Sequence, residues 1–117
     1  MSDAKECLFC RIIAGGIPAR IAWRNDELVA FHDVNPQAPV HILICPRKHI
    51  ATLDDMGPDD ESLIGDAIGA AARIAREMGH AEGGYRVVLN CGAGAGQSVF
   101  HIHVHLLAGR AFGWPPG

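Results

Sequence analysis

The sequence lacks any apolar run of the length, about 18 residues, that a membrane-spanning helix requires. It also lacks the signs of a secretory leader, because residues 1–6 are polar and show no basic segment followed by an apolar one. We therefore expect a cytoplasmic location and no membrane partner.

An excess of basic residues is also missing. Ten Lys and Arg residues stand against 13 Asp and Glu residues, which gives a formal net charge of −3 with neutral histidines. A nucleic-acid-binding surface needs a basic stripe, so we expect no nucleic-acid partner. Binding of a single nucleotide is not excluded, because a small site can carry its own positive groups.

No linker, internal repeat or low-complexity stretch divides the 117 residues, which predicts a single domain over 1–117. A domain of this length buries roughly two-thirds of the surface that its unfolded chain exposes. The sequence has four cysteines, which in a reducing compartment are expected as thiols or metal ligands rather than disulfides. Cys45 and Cys91 lie in predicted strands and are expected as small core residues.

The order of predicted elements is typical of an α+β fold, with an antiparallel sheet and helices on one face. The long helix is indicated by apolar residues at helical spacing, with acidic residues at its start and Gly79 at its end. That apolar stripe consists of Ile64, Ala67, Ile68, Ala71, Ile74, Ala75 and Met78. The predicted elements are helices at 7–14 and 59–79 and strands at 20–25, 28–33, 40–46, 85–91 and 100–108.

The most informative segment is 101–105 (HIHVH). In a strand, successive side chains point to opposite faces, so His101, His103 and His105 share one face. Three readings are open. The rings can be solvated surface histidines. They can hold a metal, although same-face neighbours lie about 7 Å apart while zinc–nitrogen bonds are ~2 Å. They can also perform nucleophilic catalysis at phosphorus, because an imidazole whose other nitrogen is hydrogen-bonded is a good nucleophile.

A glycine-rich stretch, 90–98 (NCGAGAGQS), comes directly before the histidines. Glycines let the backbone approach a ligand closely and expose its N–H groups, which suits a phosphate. A flexible connection between two strands is the alternative reading. The position of the loop, just before His101, favours a phosphate site in which Ser98 donates a hydrogen bond.

Together these residues resemble the signature of the histidine-triad (HIT) superfamily, which is His-x-His-x-His followed by apolar residues. The likeness extends through nearly the whole chain, and its ending, 114–117 (WPPG), is characteristic of the Hint branch, the histidine-triad nucleotide-binding proteins. The other matching stretches are 31–41 (FHDVNPQAPVH), 46–50 (PRKHI) and 96–100 (GQSVF).

The resemblance implies a HIT-like fold with a five-stranded antiparallel sheet, one long and one short helix, and a homodimer with a continuous ten-stranded sheet. It implies hydrolysis of the P–N bond in purine nucleoside phosphoramidates, with AMP- or GMP-type nucleotides as substrates. His103 would attack phosphorus and form a nucleotidyl-histidine intermediate, which water then cleaves. No catalytic metal is required in this scheme.

The resemblance also assigns roles to individual residues. The expected catalytic residues are His103, His105, His41 and Ser98. The expected nucleotide-binding residues are Asp33, Val34, Asn90, Gly96, Gln97, Ser98, His103, His105 and, reaching the partner protomer's site, Trp114. Without the resemblance, Asp33 is equally well read as a turn carboxylate before Asn35.

Cys7 and Cys10 have the Cys-x-x-Cys spacing of half a zinc site. Some histidine-triad proteins complete such a pair with two histidines, which match His49 and His101 here. The resemblance thus implies a structural zinc held by Cys7, Cys10, His49 and His101. The alternative is a pair of buried or redox-labile thiols.

Two other functions remain open from the sequence. One is a nucleotide-binding interaction module in which turnover is incidental. The other is a dinucleoside polyphosphate hydrolase of the Fhit-like branch, against which the 114–117 ending argues.

Overall fold

The computed structural model describes residues 6–117. Five strands form one sheet in the order β1-β2-β3-β5-β4, and every neighbouring pair is antiparallel, as predicted. Its strands are β1 (Ile21–Arg24), β2 (Leu28–His32), β3 (Val40–Pro46), β4 (Tyr85–Val88) and β5 (Val104–Ala108).

Two α-helices accompany the sheet, α1 (Leu8–Ile13) and α2 (Glu61–Glu77). The predicted long helix therefore exists, but its first residues form a separate 3₁₀ turn, Pro58–Asp60. The Asp60 carboxylate accepts a hydrogen bond from the Gly57 N–H at 2.9 Å, and it pairs with Lys48 at 2.6 Å. After α2, Gly79 has a φ of +84°, a conformation that ends a helix and that glycine adopts without strain. Two further 3₁₀ turns are Leu53–Asp55 and Ala93–Ala95.

The two helices cover opposite faces of the sheet, which corrects the expectation that they share one. All residues of β3 are buried, and its alternate side chains enter two different cores. Ile42 and Ile44 pack under α2. Leu43 and Cys45 pack with Phe9 of α1. Cys45 is thus a core residue as predicted, whereas Cys91 is exposed, because β4 ends at Val88 and the chain leaves the sheet before residue 91.

The apolar stripe of α2 is narrower than predicted. Ile64, Ala67, Ala71, Ile74 and Ala75 are buried, and the buried face also includes Ala70. Ile68 and Met78 are instead exposed, at 46% and 43% of their surface. Ile68 lies at the margin of the face that meets the sheet, and Met78 is the C-cap residue after the last turn of α2, so helical spacing alone does not decide their burial.

The histidine segment joins the sheet later than the predicted 100–108, because residues 99–101 form a bend and β5 begins at Val104. The ladder between β3 and β5 ends at the pair Ile44 and Val104. Beyond it, the Pro46 carbonyl contacts the His101 ring instead of the β5 backbone, and the Ile102 N–H donates to Ile50 at 2.7 Å. His101 and His103 therefore precede the strand. Among the described residues, no helix is both long and apolar enough to cross a bilayer.

Candidate active site

A cavity of about 410 Å³ opens on the sheet face that α1 covers. Its polar lining includes Asp33, Ser98, His103 and His105. The apolar lining includes side chains from α1, β2, β3 and the segment before His101, namely Leu8, Phe9, Ile12, Phe31, Leu43 and Val99, and it is completed by 17–19 and Val34. The cavity therefore joins an apolar slot to a group of imidazoles. The apolar walls were not predicted as site residues, although the alternation of β2 and β3 places Phe31 and Leu43 on the histidine face.

His103 is buried, and its proton position follows from one backbone contact. Its Nδ1 donates to the carbonyl oxygen of His101 at 2.7 Å. Burial lowers the pKa of His103, while this hydrogen bond and the charge of Asp33 oppose the shift. The ring is therefore neutral at pH 7, with its lone pair on Nε2. Phe9 packs edge-on against it at 5.0 Å between ring centres.

His41 and His105 form a hydrogen-bonded pair beside His103. The Gln37 N–H donates to Nδ1 of His41 at 3.0 Å, which leaves the proton of His41 on Nε2. That Nε2 lies 2.9 Å from Nδ1 of His105 and donates to it. Nδ1 of His105 is thus the acceptor, so the proton of His105 lies on Nε2. Burial, together with the neighbouring rings of His103 and His41, lowers the pKa of His105 to about 4.

Asp33 lies next to this pair. One of its oxygens, Oδ2, is 3.5 Å from Nε2 of His41, and the other accepts from the Asn35 N–H at 2.8 Å. Burial lowers the pKa of His41, and the Asp33 charge opposes that shift. One ligand atom each from Asp33, His41 and His105 lies within 4.8 Å of the others. Within this group, the 2.9 Å contact between Nε2 of His41 and Nδ1 of His105 has the length of a hydrogen bond.

The glycine loop is held in shape by the side chain of Gln97. The amide oxygen of Gln97 accepts from the Gly92 N–H at 2.8 Å, and its Nε2 donates to the carbonyls of Ala51 and Val99 at 2.8 and 3.1 Å. Gly96 has a φ of +102°. A Cβ at Gly96 would lie 3.9 Å from Nδ2 of Asn90. The structure therefore gives Gln97 a bracing role, and its direct contact to a nucleotide stays a prediction.

The remaining predicted nucleotide contacts are more exposed. Val34 and Ser98 line the cavity with exposed side chains. Trp114 is 85% exposed and is not part of the cavity lining in this chain. Arg86 donates to the carbonyl of the preceding residue, Gly113, at 2.7 Å and so attaches the C-terminal segment to β4.

A second cluster, next to His103, brings together the four residues predicted as metal ligands. Nδ1 of His101 is 3.3 Å from Sγ of Cys7 and 3.4 Å from Sγ of Cys10. Nδ1 of His49 is 3.3 Å from Sγ of Cys10 and from Nδ1 of His101. One donor atom from each residue lies within 4.8 Å of the other three. The cluster can therefore hold a metal ion.

The two histidines of the cluster differ in the contact made by their second ring nitrogen. Nε2 of His101 donates to the Pro46 carbonyl at 2.7 Å, which leaves the Nδ1 lone pair pointing at the cysteines, as is usual for a ligating histidine. Nε2 of His49 is buried and has no hydrogen-bond partner within residues 6–117.

Comparison with known proteins agrees with this geometry. Residues 14–112 match the model of the HIT domain. A purine nucleoside phosphoramidase of Escherichia coli K12 is 46% identical over 110 residues, which cover 94% of this chain and 92% of that protein. An uncharacterized HIT-like protein of Synechocystis is 45% identical over 97% of this chain and 99% of its own length.

Solved structures give the same result. A HIT family hydrolase from Legionella pneumophila superposes with a TM-score of 0.93 at 48% identity, covering 96% of this chain and 100% of that one. A Zn-bound histidine triad family protein from Mycobacterium smegmatis has a TM-score of 0.80 at 29% identity, covering 98% and 82%. Together with the five-stranded antiparallel sheet and the cavity beside the histidine segment, these matches show that the chain has the HIT-like fold and belongs to the HIT domain family.

Proposed function

We propose that this chain hydrolyses the P–N bond of purine nucleoside 5′-phosphoramidates, releasing a nucleoside monophosphate and an amine. One observation carries the proposal: Nδ1 of buried His103 donates to a backbone carbonyl, so the lone pair of Nε2 serves as nucleophile in the cavity. The 46% identity to a relative named purine nucleoside phosphoramidase supports the substrate class.

The proposed reaction has two steps. Nε2 of His103 attacks phosphorus, the P–N bond breaks, and its electron pair leaves with the amine nitrogen. That nitrogen takes its proton from solvent water, while Nε2–H of His105 stays on its ring and donates a hydrogen bond to the leaving nitrogen. Water then attacks the same phosphorus, the bond to His103 breaks and leaves that ring neutral, and the proton of the attacking water returns to solvent, where it neutralises the hydroxide left by the first step. His41 holds His105 in the donor tautomer by occupying its Nδ1.

The cavity supplies a place for each part of a nucleotide. Its apolar walls suit the faces of a base, and a purine buries more apolar surface there than a pyrimidine does. The Asp33 carboxylate accepts hydrogen bonds from ribose hydroxyls, next to Val34. Ser98 lines the cavity with His103, and Asn90 and Gly96 belong to the same loop although they do not line the cavity; we expect all three to contact the phosphate.

We also propose that the metal of the second cluster is zinc. Two thiolates and two imidazoles are a donor set that zinc accepts in closed structural sites. Bond lengths of ~2.0–2.3 Å in a tetrahedron place donors about 3.3–3.8 Å apart, which the measured 3.3–3.4 Å contacts approach. Bound zinc ties together segments that are distant in the chain and takes no part in the proposed chemistry.

Zinc analysis of the purified protein tests this assignment. We expect close to one zinc per chain after purification without chelators, and loss of zinc in Cys10→Ser. Cys91→Ser is the matched control, because Cys91 is an exposed thiol outside the cluster. Wild-type protein without zinc under these conditions would contradict the assignment.

We further propose a cytoplasmic homodimer. Cys7, Cys10, Cys45 and Cys91, all within the described residues, are unbridged thiols, which suits a reducing compartment. β4 pairs with β5 on one side only and lies at the edge of the sheet, where a second copy can add its own β4. In such a dimer the exposed Trp114 can approach the partner's cavity and affect which amine is accepted.

Turnover of a fluorogenic adenosine phosphoramidate by wild type and by His103→Ala tests the proposed function. We expect kcat/KM to fall at least about 10³-fold in the variant, because the nucleophile cannot be replaced by water at the same site. His80→Ala is the matched control, since His80 follows α2 outside the cavity. Acid-quenched wild type should also carry a nucleotidyl mass that His103→Ala lacks.

Equal turnover by wild type and His103→Ala would overturn the nucleophile assignment. Tight AMP binding by a wild type that turns over no phosphoramidate would instead support a nucleotide-binding interaction module.

A further inference from the structure

Helix α1 belongs to two sites at once. Cys7 is the N-cap residue of α1 and Cys10 lies within it, and both supply sulfur atoms to the metal-ligand cluster. The residues between them, Leu8 and Phe9, line the cavity of the candidate active site, as does Ile12 one turn later. The metal ligands and one wall of the cavity are therefore parts of the same six-residue helix.

This helix depends on its contacts for its position. A helix of six residues is not stable by itself in water, because too few hydrogen bonds form to offset the cost of nucleation. Within α1, the only buried side chain is that of Phe9, which contacts the Phe31 ring edge-on at 5.2 Å. The other two ligands, His49 and His101, lie on segments next to β3 and β5. A metal on all four ligands would therefore anchor α1 to the sheet.

A second connection passes through His101. Its ring faces the two cysteines through Nδ1, while its backbone carbonyl accepts a hydrogen bond of 2.7 Å from Nδ1–H of His103. The Phe9 ring lies between the sites, with its centre 6.0 Å from that of His101 and 5.0 Å from that of His103. A shift of His101 therefore moves the carbonyl that hydrogen-bonds to His103, the proposed nucleophile.

We propose that metal binding at the cluster and nucleotide binding in the cavity are thermodynamically coupled through α1, so that each increases the affinity for the other. The metal pre-orders Leu8, Phe9 and Ile12 as a wall, and a nucleotide that packs on this wall holds the cysteines in place. The coupling rests on the proposed function, because it needs a nucleotide in the cavity. Coupling between two sites is reciprocal, and its usual size is about 5- to 150-fold.

Calorimetric titration of AMP into the full-length protein tests the proposal in the absence of turnover. We expect AMP to bind at least about fivefold more weakly to protein stripped of metal by a chelator and dialysed than to the same protein reloaded with zinc. In the converse experiment, competition with a colorimetric chelator should show that AMP raises zinc affinity by the same factor. Equal AMP affinities for the two forms would overturn the coupling.

Two substitutions separate coupling from simple loss of a contact. Phe9→Leu keeps all four ligands but removes the ring that contacts His101 and His103, so the ratio of AMP affinities with and without zinc should fall towards one. Val34→Ala is the matched control, because Val34 lines the same cavity from the loop after β2. It should weaken AMP binding equally with and without zinc. An unchanged ratio in Phe9→Leu would overturn transmission through α1.

The outcomes also distinguish this proposal from the one on which it rests. If AMP binds neither the zinc-loaded nor the stripped form, the proposed function and the coupling both fail. If AMP binds both forms equally well, the proposed function stands and only the coupling fails. If the chain takes up no zinc at all, the zinc assignment and the coupling fail together.

Discussion

Backbone groups determine which nitrogen carries the proton in two of the candidate catalytic histidines. The His101 carbonyl accepts a hydrogen bond from Nδ1–H of His103, and the Gln37 N–H donates a hydrogen bond to Nδ1 of His41. Nε2 of His103 therefore carries a lone pair, whereas Nε2 of His41 carries a proton. Because His41 donates that hydrogen bond to Nδ1 of His105, the proton of His105 lies on its Nε2. A nucleophile and a hydrogen-bond donor thus lie side by side at neutral pH without any ring being charged.

The pH dependence of kcat/KM should reflect the neutral state of His105. Burial and the neighbouring rings lower the pKa of His105 from 6.5 to about 4, so its neutral form persists as the pH falls through 6.5. At pH 5 roughly 90% of His105 is then neutral, against roughly 3% for a histidine with an ordinary pKa, and the pKa of His103 is lowered as well, so we expect kcat/KM to fall only well below pH 6.5. Initial rates between pH 4.5 and 8 measure this, with zinc content determined at each pH. A half-maximal point near 6.5 would contradict the assignment.

The Gln97 side chain should stabilise the folded protein as well as hold the glycine loop in shape. Replacing it with Leu leaves the Gly92 N–H and the carbonyls of Ala51 and Val99 without their partner. We expect the free energy of unfolding to fall by about 1–3 kcal/mol, measured by urea denaturation. Gln37→Leu is the matched control, because that side chain is exposed, and it should change the free energy by less than about 0.5 kcal/mol. Equal effects would argue against the bracing role.

At the scale of the elements, the start of β3 and the end of β5 lie close together. Val40 pairs with Ala108, and the next residue, Gly109, lies against Pro39 with a φ of +94°. A Cβ at Gly109 would lie 2.8 Å from Cβ of Pro39, closer than two carbon atoms can approach. The end of this strand pair therefore requires glycine, both for its backbone conformation and for space.

Gly109→Ala should destabilise the protein by about 1–3 kcal/mol, since it combines a left-handed backbone with a steric clash. Gly83→Ala serves as its control, because nothing lies within 4 Å of a Cβ there and its φ is outside the left-handed region. We expect the control to change the free energy of unfolding by no more than about 0.5 kcal/mol in the same urea titration. A Gly109→Ala protein as stable as wild type would show that Pro39 can move away.

At the scale of the whole molecule, apolar side chains are exposed on β4 and α2. Tyr85 and Val87 on β4 are each 36% exposed, and Ile68 on α2 is 46% exposed. Tyr85 and Val87 pair with Ala108 and Leu106, both of which belong to the core under α2. The edge strand therefore presents apolar groups on the helix side of the sheet as well as backbone groups without a neighbouring strand. Both features suit association with a second copy.

Light scattering coupled to size exclusion should give a mass of about twice the 12.5 kDa of one chain. Val87→Asp should shift the mass to that of one chain, because a charge at a buried interface is costly to desolvate. Circular dichroism of the variant must match wild type for the comparison to hold. A wild-type monomer would contradict the dimer and remove Trp114 from any partner's site.

Local patterns in the sequence were sufficient for much of this protein. The alternation of His101, His103 and His105, the glycine loop and the order of strands all follow from short-range periodicity. The convergence of Cys7, Cys10, His49 and His101, implied by the family resemblance, is confirmed as a cluster that can hold a metal ion. The periodic features depend on residue types at a fixed spacing, whereas the meeting of His49 and His101 with the two cysteines is a long-range contact that the resemblance implied.

Other features were decided only by the tertiary structure. The sequence does not show that α1 and α2 cover opposite faces, that β5 begins at Val104, or that Cys91 and Ile68 are exposed. Nor does it show that the amide of Gln97 is used within the loop. The reason is that a strand's periodicity states which side chains share a face but not what covers that face. Packing and hydrogen bonds between segments far apart in the chain make that choice.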